Sequence, residues 1–240
     1  WGPFPPPPPA GPGLLEAKKR LLDLGARSDR GQFTTQDEKD QAEELILELE
    51  ALNPALDSSS LSPIGTWELV YTNTEPFLAS PFFLALRELF GDDSEAASRA
   101  FRLHRLATSS GEFGKVRHKL EASQLVSEVE LRVGTLPGVP LALTGTVVST
   151  ADLEMEDGGF KERLRIRNTS VKGTNVLPAL QNVLGGTMQL PTTVPVSDLY
   201  SRFRGQVPES SLLCVYLDAD MRIVRTSDDD VFVFCRAAGE

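Results

Sequence analysis

The chain has 240 residues, of which 40% are hydrophobic and 24% are charged, a composition typical of a folded protein with a full apolar core. Its formal net charge of -10 and isoelectric point near 4.8 disfavour non-specific binding to nucleic acid, which requires clustered Lys and Arg. Uncharged apolar runs are shorter than the roughly 20 residues that cross a bilayer, so any membrane association is expected to be peripheral.

Residues 1–13 form a proline-rich N-terminal tail. The prolines favour an extended polyproline II conformation, and by composition alone the tail is a disordered spacer. Alternatively, Trp1 and Phe4 anchor the tail against a partner. The sequence leaves both interpretations open.

Residues 14–60 predict a helical extension with two amphipathic helices. Apolar residues recur at helical spacing over residues 14–24, and Gly25 is expected to end the first helix. A capping-box sequence begins at Thr35, and the apolar stripe behind it ends before Pro54. The acidic residues of this second helix lie mostly on its other face, which favours solvation over ligand binding.

A β domain is predicted for residues 61–240, and its first strand is Gly65-Thr66-Trp67-Glu68-Leu69-Val70-Tyr71-Thr72. Trp67, Leu69 and Tyr71 occupy alternate positions, as in a strand with one buried face. Further alternating segments separated by turn residues indicate a mainly β fold, an antiparallel barrel with an apolar interior. The residues expected to point inward and to line or fill a ligand pocket are Tyr71, Leu131, Leu143, Leu153 and Leu164.

Residues 76–106 interrupt the strand pattern and predict one or two helices inserted into the barrel. This stretch is the most apolar part of the chain. It either closes one end of the barrel or forms a lipid-facing or partner-facing surface, because contiguous exposed apolar patches mark interaction sites. The candidate contact residues in this stretch and in the tail are Trp1, Phe4, Phe77, Phe82, Phe83 and Phe90.

Two later strands predict ion pairs across a hairpin. Residues 151–156 place acidic side chains on the outer face, and residues 160–167 place basic ones there. Residues 157–159, Asp-Gly-Gly, form a suitable turn between them. The basic run is therefore interpreted as a cross-strand partner rather than an anion site.

The last three strands predict a meander that contains two free cysteines. Cys214 would face Val224, and Cys235 would face Met221, which leaves the middle strand between the two sulfur atoms. That separation disfavours a disulfide.

Catalytic and metal-binding signatures are absent from the sequence. His104 and His118 lie among basic residues without metal-ligand spacing, which favours a structural or surface role. Residues 185–186, Gly-Gly, lack the Lys and Ser or Thr of a phosphate-binding loop, and residues 228–230 lack the spaced ligands of a calcium loop. A binding module is therefore expected rather than an enzyme. A third possibility is an isomerase or similar enzyme acting on a hydrophobic substrate, which would need a polar residue pointing into the barrel.

Three segments together carry a family resemblance: the helix exit ending in Leu52-Asn53-Pro54, the strand at residues 65–72, and residues 216–225 with the strand after them. The third segment has the sequence Tyr-Leu-Asp-Ala-Asp-Met-Arg-Ile-Val-Arg. In order and spacing they resemble the plastid lipid-associated protein family, also called plastid fibrillins, over residues 14–236. The resemblance implies a lipocalin-like barrel closed by Trp67 beneath an arginine of a late strand, Arg222 or Arg225.

The same resemblance implies a place in the plastid, peripheral on the thylakoid membrane or the plastoglobule. It implies a non-enzymatic protein without a covalent cofactor that binds a lipid, a carotenoid or a prenylquinone. The alternative is a structural subunit that docks on a photosynthetic membrane complex through residues 1–13 and 77–90. A large open cavity would favour the carrier, and an extended ordered tail would favour the subunit.

Overall fold

The computed structural model describes residues 12–53, 61–81, 112–133, 143–156, 160–172, 193–194 and 209–238. Two helices come first, α1 (Pro12–Arg27) and α2 (Gln36–Ala51), and a 3₁₀ helix (Pro76–Ala79) follows the first strand. The strands are β1 (Gly65–Thr72), β2 (Glu112–Leu120), β3 (Gln124–Val133), β4 (Leu143–Glu156), β5 (Lys161–Lys172), β6 (Thr193–Val194), β7 (Glu209–Leu217), β8 (Met221–Arg225) and β9 (Val231–Arg236).

Eight of these strands close into an antiparallel barrel. Their order around the ring is β4, β3, β2, β1, β9, β8, β7 and β5, and β5 pairs with β4 to complete it. The short β6 pairs with the far end of β5, beyond the part that pairs with β7. The predicted fold class, a lipocalin-like barrel with an N-terminal helical extension, is confirmed.

The barrel wall separates two apolar cores. The inner core lies inside the ring and receives residues from all eight strands, and the outer core lies between the two helices and one side of the ring. The inner core includes, in chain order, Trp67, Val116, Leu125, Ala151, Leu164, Leu212, Val224 and Phe234. The outer core includes Leu21, Leu24, Ala42, Ile46 and Leu49 of the helices with Tyr216, Ile223 and Val233 of the strands.

The two helices form where the sequence pattern predicts them. The capping box at Thr35 is confirmed, since its hydroxyl accepts from the Glu38 backbone and the Glu38 carboxylate accepts from the Thr35 backbone at 2.9 Å. The backbone and the hydroxyl of Thr35 both donate to the Glu38 carboxylate, and these two hydrogen bonds lower the pKa of Glu38. The predicted end of α1 at Gly25 is wrong, because the helix continues to Arg27 and Gly25 instead allows close approach to β1. Neither helix is long and apolar enough to span a membrane.

A β-bulge in β1 redirects the side chain of Tyr71. Leu69 pairs with Phe234 and Tyr71 pairs with Val233, so one extra residue of β1 lies between two consecutive residues of β9. Leu69 consequently joins the inner core, and Tyr71 joins the outer core beneath the helices. The prediction that Tyr71 faces the barrel interior is wrong, because the bulge interrupts the alternation on which that prediction depends.

The strand β2 was not predicted from the sequence. Val116 and Leu120 belong to the inner core, but His118 between them is polar. Apart from Phe113, the other positions carry glycine or charged side chains, so the alternation of apolar residues is weak. β2 connects β1 to β3 and is required for the ring to close.

The outer face of the β4–β5 hairpin carries the predicted ion pairs. Arg163 lies 3.7 Å from Glu154 and 2.7 Å from Glu156. Arg167 lies 2.5 Å from Asp152. The basic run is therefore confirmed as a cross-strand partner, and because these side chains are largely exposed each pair stabilises the fold by at most about 1 kcal/mol.

The two cysteines lie on opposite sides of the barrel wall. Cys214 belongs to the inner core, and Cys235 packs against the outer core. The predicted register is confirmed, with Cys214 opposite Val224 and Cys235 opposite Met221. Both thiols are free, and burial raises the pKa of each to about 11.

We expect Gly25→Ala to weaken the contact between α1 and the barrel. A Cβ atom at Gly25 would lie 2.3 Å from the carbonyl oxygen of Val70, a backbone atom that no side-chain rotation can move away. The expected loss in the free energy of unfolding, measured by urea denaturation, is about 1–3 kcal/mol. Gly13→Ala is the matched control in the same helix, since its Cβ would meet only the Glu48 carboxylate at 3.8 Å. Equal stability of the two variants would contradict the close contact.

Candidate functional site: the barrel interior

A row of polar side chains crosses the inner face of the barrel from β2 to β5. His118 on β2 pairs with Ser127 on β3. Ser127 pairs in turn with Ser149 on β4, and Ser149 pairs with Thr169 on β5. His118 stands opposite Trp67 of the inner core, so the row faces the interior. All four polar residues are buried, and we call them the polar row.

Hydroxyl groups link one end of the polar row to the segment after β1. Ser80 donates to the hydroxyl oxygen of Ser149 at 3.2 Å, and the hydroxyl oxygens of Ser149 and Thr169 lie 3.2 Å apart. The hydroxyl of Ser127 has no hydrogen-bond partner within the described residues. The row is therefore satisfied at its β4–β5 end and only partly satisfied at its β2–β3 end.

His118 is a neutral imidazole with one free nitrogen. Its Nε2 lies 2.9 Å from the carbonyl oxygen of Ala79, and because a carbonyl only accepts, the proton is assigned to Nε2. Burial lowers the pKa of His118 to about 3, and the positive charge of Arg222 acts in the same direction. Nδ1 is consequently a hydrogen-bond acceptor, and it has no partner in the part of the chain that is described.

Arg222 and Glu162 form a wholly buried ion pair across the interior from the polar row. The Nη2 nitrogen of Arg222 donates to both carboxylate oxygens of Glu162, at 2.6 and 2.5 Å. The guanidinium carbon lies 5.5 Å from the ring centroid of Phe234, and the His118 ring lies 4.6 Å from that centroid. The ion pair and the polar row therefore meet across Phe234.

Unpaired polar atoms concentrate at this meeting point. Among the described residues of the interior they are Nε and Nη1 of Arg222, Nδ1 of His118 and Oγ of Ser127. A buried polar group without a partner costs about 1–3 kcal/mol, and native proteins contain few of them. Several in one place, inside an otherwise apolar core, identify this region as the candidate site.

The thiol of Cys214 lies near the same guanidinium. Its sulfur lies 3.5 Å from the carbonyl oxygen of Tyr216, to which the thiol donates. Burial raises the pKa of Cys214, and the charge of Arg222 opposes that rise. A weak interaction of the sulfur with the Arg222 guanidinium also lowers the thiol pKa, but sulfur is a weak acceptor and does not replace an oxygen partner for Arg222.

The last signature residue, Arg225, lies on the opposite face of the wall from Arg222. Arg225 points outward to α2, where it lies 2.6 Å from Glu43 and 2.7 Å from Glu50. The predicted pairing of Arg225 with Trp67 is therefore wrong. Its two ion pairs instead attach the helical extension to the barrel.

Other motif residues make the same attachment. Asp218 accepts from Lys18 of α1 at 2.7 Å and from Tyr216 at 2.5 Å. Burial alone would raise the pKa of Asp218, but these hydrogen bonds lower it below its usual value. Asn53, after α2, bonds to two backbone groups of β7 at 2.9 and 3.2 Å. Most of the polar side chains in the helix exit (52–54) and the signature (216–225) thus attach the helices to the barrel. Among the described polar side chains of these two segments, Arg222 alone enters the interior.

Trp67 is covered by an arginine, but that arginine is Arg236. The guanidinium carbon of Arg236 lies 4.2 Å from the Trp67 ring centroid, and the two residues are opposite each other in the β1–β9 register. Trp67 also donates from its ring nitrogen to the carbonyl oxygen of Pro63 at 2.7 Å. The prediction of Arg222 as its partner is wrong, because Arg222 lies over Phe234.

Two of the predicted pocket residues, Leu153 and Leu164, belong to the inner core. Leu131 and Leu143 lie on β3 and β4, and their side chains are outside the described set. Phe77 belongs to the 3₁₀ helix, and its side chain is likewise not described. The remaining predicted contact residues, Trp1, Phe4, Phe82, Phe83 and Phe90, lie outside the described residues, as does His104.

Sequence reasoning missed Glu162 as a site residue. On β5 it occupies the inward position next to Leu164, where the alternating pattern expects an apolar side chain. A carboxylate at such a position is the signal that could have revealed a buried partner. Its partner, Arg222, lies two strands away around the ring.

Comparisons with known proteins find one family model and two similar curated proteins. The family model described as PAP_fibrillin matches residues 15–90. The chromoplast-specific carotenoid-associated protein C1 of an Oncidium hybrid cultivar is 26% identical over 238 residues, which is 93% of this chain and 69% of that protein. The C2 protein of an Oncidium hybrid cultivar, with the same description, is 26% identical over 235 residues, which is 92% of this chain and 68% of that protein. No solved structure matches the chain.

Proposed function

We propose that this chain is a plastid protein of the fibrillin family whose barrel binds a lipid, carotenoid or prenylquinone in its interior. One structural observation carries the proposal: a closed eight-stranded ring directs apolar residues from every strand into one core. Barrels of about eight strands can enclose one small ligand. The carotenoid-associated relatives suggest the ligand class, and their chromoplastic description suggests the plastid.

The chemistry of the interior supports binding better than catalysis. A general base works best when its pKa lies near the working pH, whereas the pKa of His118 is about 3. Glu162 is another candidate among the described interior residues, and both of its carboxylate oxygens accept from Arg222. His118 is therefore poorly suited to act as a general base at neutral pH, and the Glu162 carboxylate is occupied by Arg222, so the proposed role is non-enzymatic.

The proposed working place is the lipid surface of the thylakoid or the plastoglobule. An apolar ligand must pass from a lipid phase into the barrel, and residues 76–106 are the proposed contact segment. Leu78 and Ala79, at the start of this segment, pack into the inner core. The segment therefore begins in contact with the proposed ligand site.

The test is a titration of the purified chain with a carotenoid, followed by absorption. Leu164→Trp enlarges a side chain of the inner core and should weaken binding by at least about tenfold. Leu213→Trp is the matched control, since Leu213 is 50% exposed on the outer face of the neighbouring strand. We expect it to bind as the unmodified protein does. Unchanged binding by a folded Leu164→Trp variant would overturn an interior site.

A further inference from the structure

We propose that Arg222, His118 and Ser127 form a recognition site inside the barrel for a carbonyl or hydroxyl oxygen of a neutral, otherwise apolar ligand. This inference rests on the proposed function and deepens it. It predicts that the barrel selects oxygenated ligands over hydrocarbons of the same shape.

The free atoms of Arg222 determine what the ligand must offer. Nη2 bonds to Glu162, while Nε and Nη1 have no partner among the described residues. A guanidinium has donors only, so an acceptor must face these two nitrogens. Because Arg222 is wholly buried, bulk water does not supply that acceptor. A ligand oxygen inside the barrel would supply the acceptor.

The charge of the site favours a neutral oxygen. Arg222 and Glu162 already neutralise each other. His118 stays uncharged at neutral pH, so it does not add a positive charge to balance an incoming anion. A carboxylate or phosphate would therefore be buried as an excess negative charge, which is strongly unfavourable. A carbonyl or hydroxyl adds no net charge.

His118 and Ser127 extend the site beyond Arg222. Nδ1 of His118 accepts, and the Ser127 hydroxyl opposite it in the sheet both donates and accepts. A ligand hydroxyl could donate to Nδ1, whereas a ligand carbonyl could accept from Arg222 or Ser127. Phe234 lies against both the Arg222 guanidinium and the His118 ring and gives the polar atoms an apolar surround.

The first experiment compares two carotenoids that differ only in oxygen. The purified chain is titrated with β-carotene and with canthaxanthin, which has the same skeleton and a carbonyl on each ring. Canthaxanthin should bind at least about tenfold more tightly. A second comparison, of a long-chain ubiquinone with squalene, shows whether a quinone or a carotenoid is the better source of the oxygen.

Substitutions in the Arg222–Glu162 ion pair show which residues are responsible for the preference for oxygenated ligands. The double variant Arg222→Met with Glu162→Met removes both charges together, so it should fold and bind the two carotenoids equally. Arg222→Lys keeps the positive charge but lacks Nε and Nη1, and it should also lose most of the preference. Retention of the full preference by either folded variant would overturn the assignment.

The outcomes separate this inference from the function on which it rests. Equal binding of oxygenated and hydrocarbon ligands by the unmodified protein would overturn the recognition site and leave the carrier proposal standing. Failure to bind any of the four compounds would overturn both. Tighter binding of the oxygenated member of each pair, lost in the double variant, would support both.

Discussion

Replacing Glu162 with methionine should destabilise the protein by about 3–5 kcal/mol, because it leaves a buried guanidinium without a counter-ion. Arg222 and Glu162 are both wholly buried, and a single nitrogen of Arg222 bonds to both carboxylate oxygens. Arg222→Met should destabilise by a similar amount, since it strands the carboxylate. Urea denaturation at neutral pH measures both losses.

The double variant Glu162→Met with Arg222→Met distinguishes the destabilisation caused by an unpaired buried charge from the destabilisation caused by lost packing. Two apolar side chains then replace a desolvated ion pair, and the stability should return to within about 1–2 kcal/mol of the unmodified protein. The matched surface pair is Asp152 with Arg167, which are 2.5 Å apart but largely exposed. Each single change there should alter stability by at most about 1 kcal/mol. Additive losses in the interior double variant would contradict a buried, mutually neutralising pair.

Acid should destabilise the unmodified protein more steeply than a His118→Gln variant. Burial, aided by the charge of Arg222, lowers the pKa of His118 to about 3 in the folded protein, whereas an unfolded histidine has a pKa of about 6.5. Between these values the unfolded chain binds a proton that the folded protein does not. The stabilising contribution is therefore complete above about pH 6.5 and decreases by about 1.4 kcal/mol for each unit toward pH 3.

Urea denaturation at pH 6.5 and at pH 5 checks this expectation. Glutamine does not titrate, and its amide can still donate to the Ala79 carbonyl oxygen that His118 contacts. The stability difference between the two proteins should change by about 1.6 kcal/mol over this interval. Carboxylates titrate in both proteins, so their effect cancels in the difference. Parallel pH profiles would show that His118 is not held neutral by burial.

Features that depend on neighbouring residues could be predicted from the sequence. The capping box at Thr35 forms because its two partners are three residues apart. The register of the last three strands follows from alternation and short turns, which placed Cys214 opposite Val224 and Cys235 opposite Met221. The mainly β character follows from the same alternation, whereas the lipocalin-like barrel is what the family resemblance implied.

Features that depend on distant pairings were predicted wrongly. The bulge before Tyr71 inserts one residue of β1 opposite β9, and nothing in the sequence around Val70 marks it. Arg236 covers Trp67 because the first and last strands pair, although the two residues are 169 positions apart in the sequence, at 67 and 236. The family signature at residues 216–225 suggested Arg222 as the partner of Trp67. In the closed barrel, however, the Arg222 side chain lies in the interior.

The candidate site combines residues that no local pattern connects. Glu162 and Arg222 are 60 residues apart and meet only because β5 joins β7 and β7 joins β8 around the ring. His118 lies on β2, whose polar inward position obscured the strand itself. A buried carboxylate on an apolar strand face is visible in the sequence, but its partner requires the closed barrel.

The most direct test of the carrier function is the composition of the native protein. Plastid membranes would be solubilised gently, the complexes separated by size, and the proteins, pigments and lipids that co-migrate with this chain identified. The carrier function predicts a chain near the size of one copy, with an oxygenated carotenoid, quinone or other neutral lipid in about stoichiometric amount. Co-migration with a large photosynthetic assembly without such a ligand, and its loss on deletion of residues 1–13, would contradict the carrier and support a docking subunit.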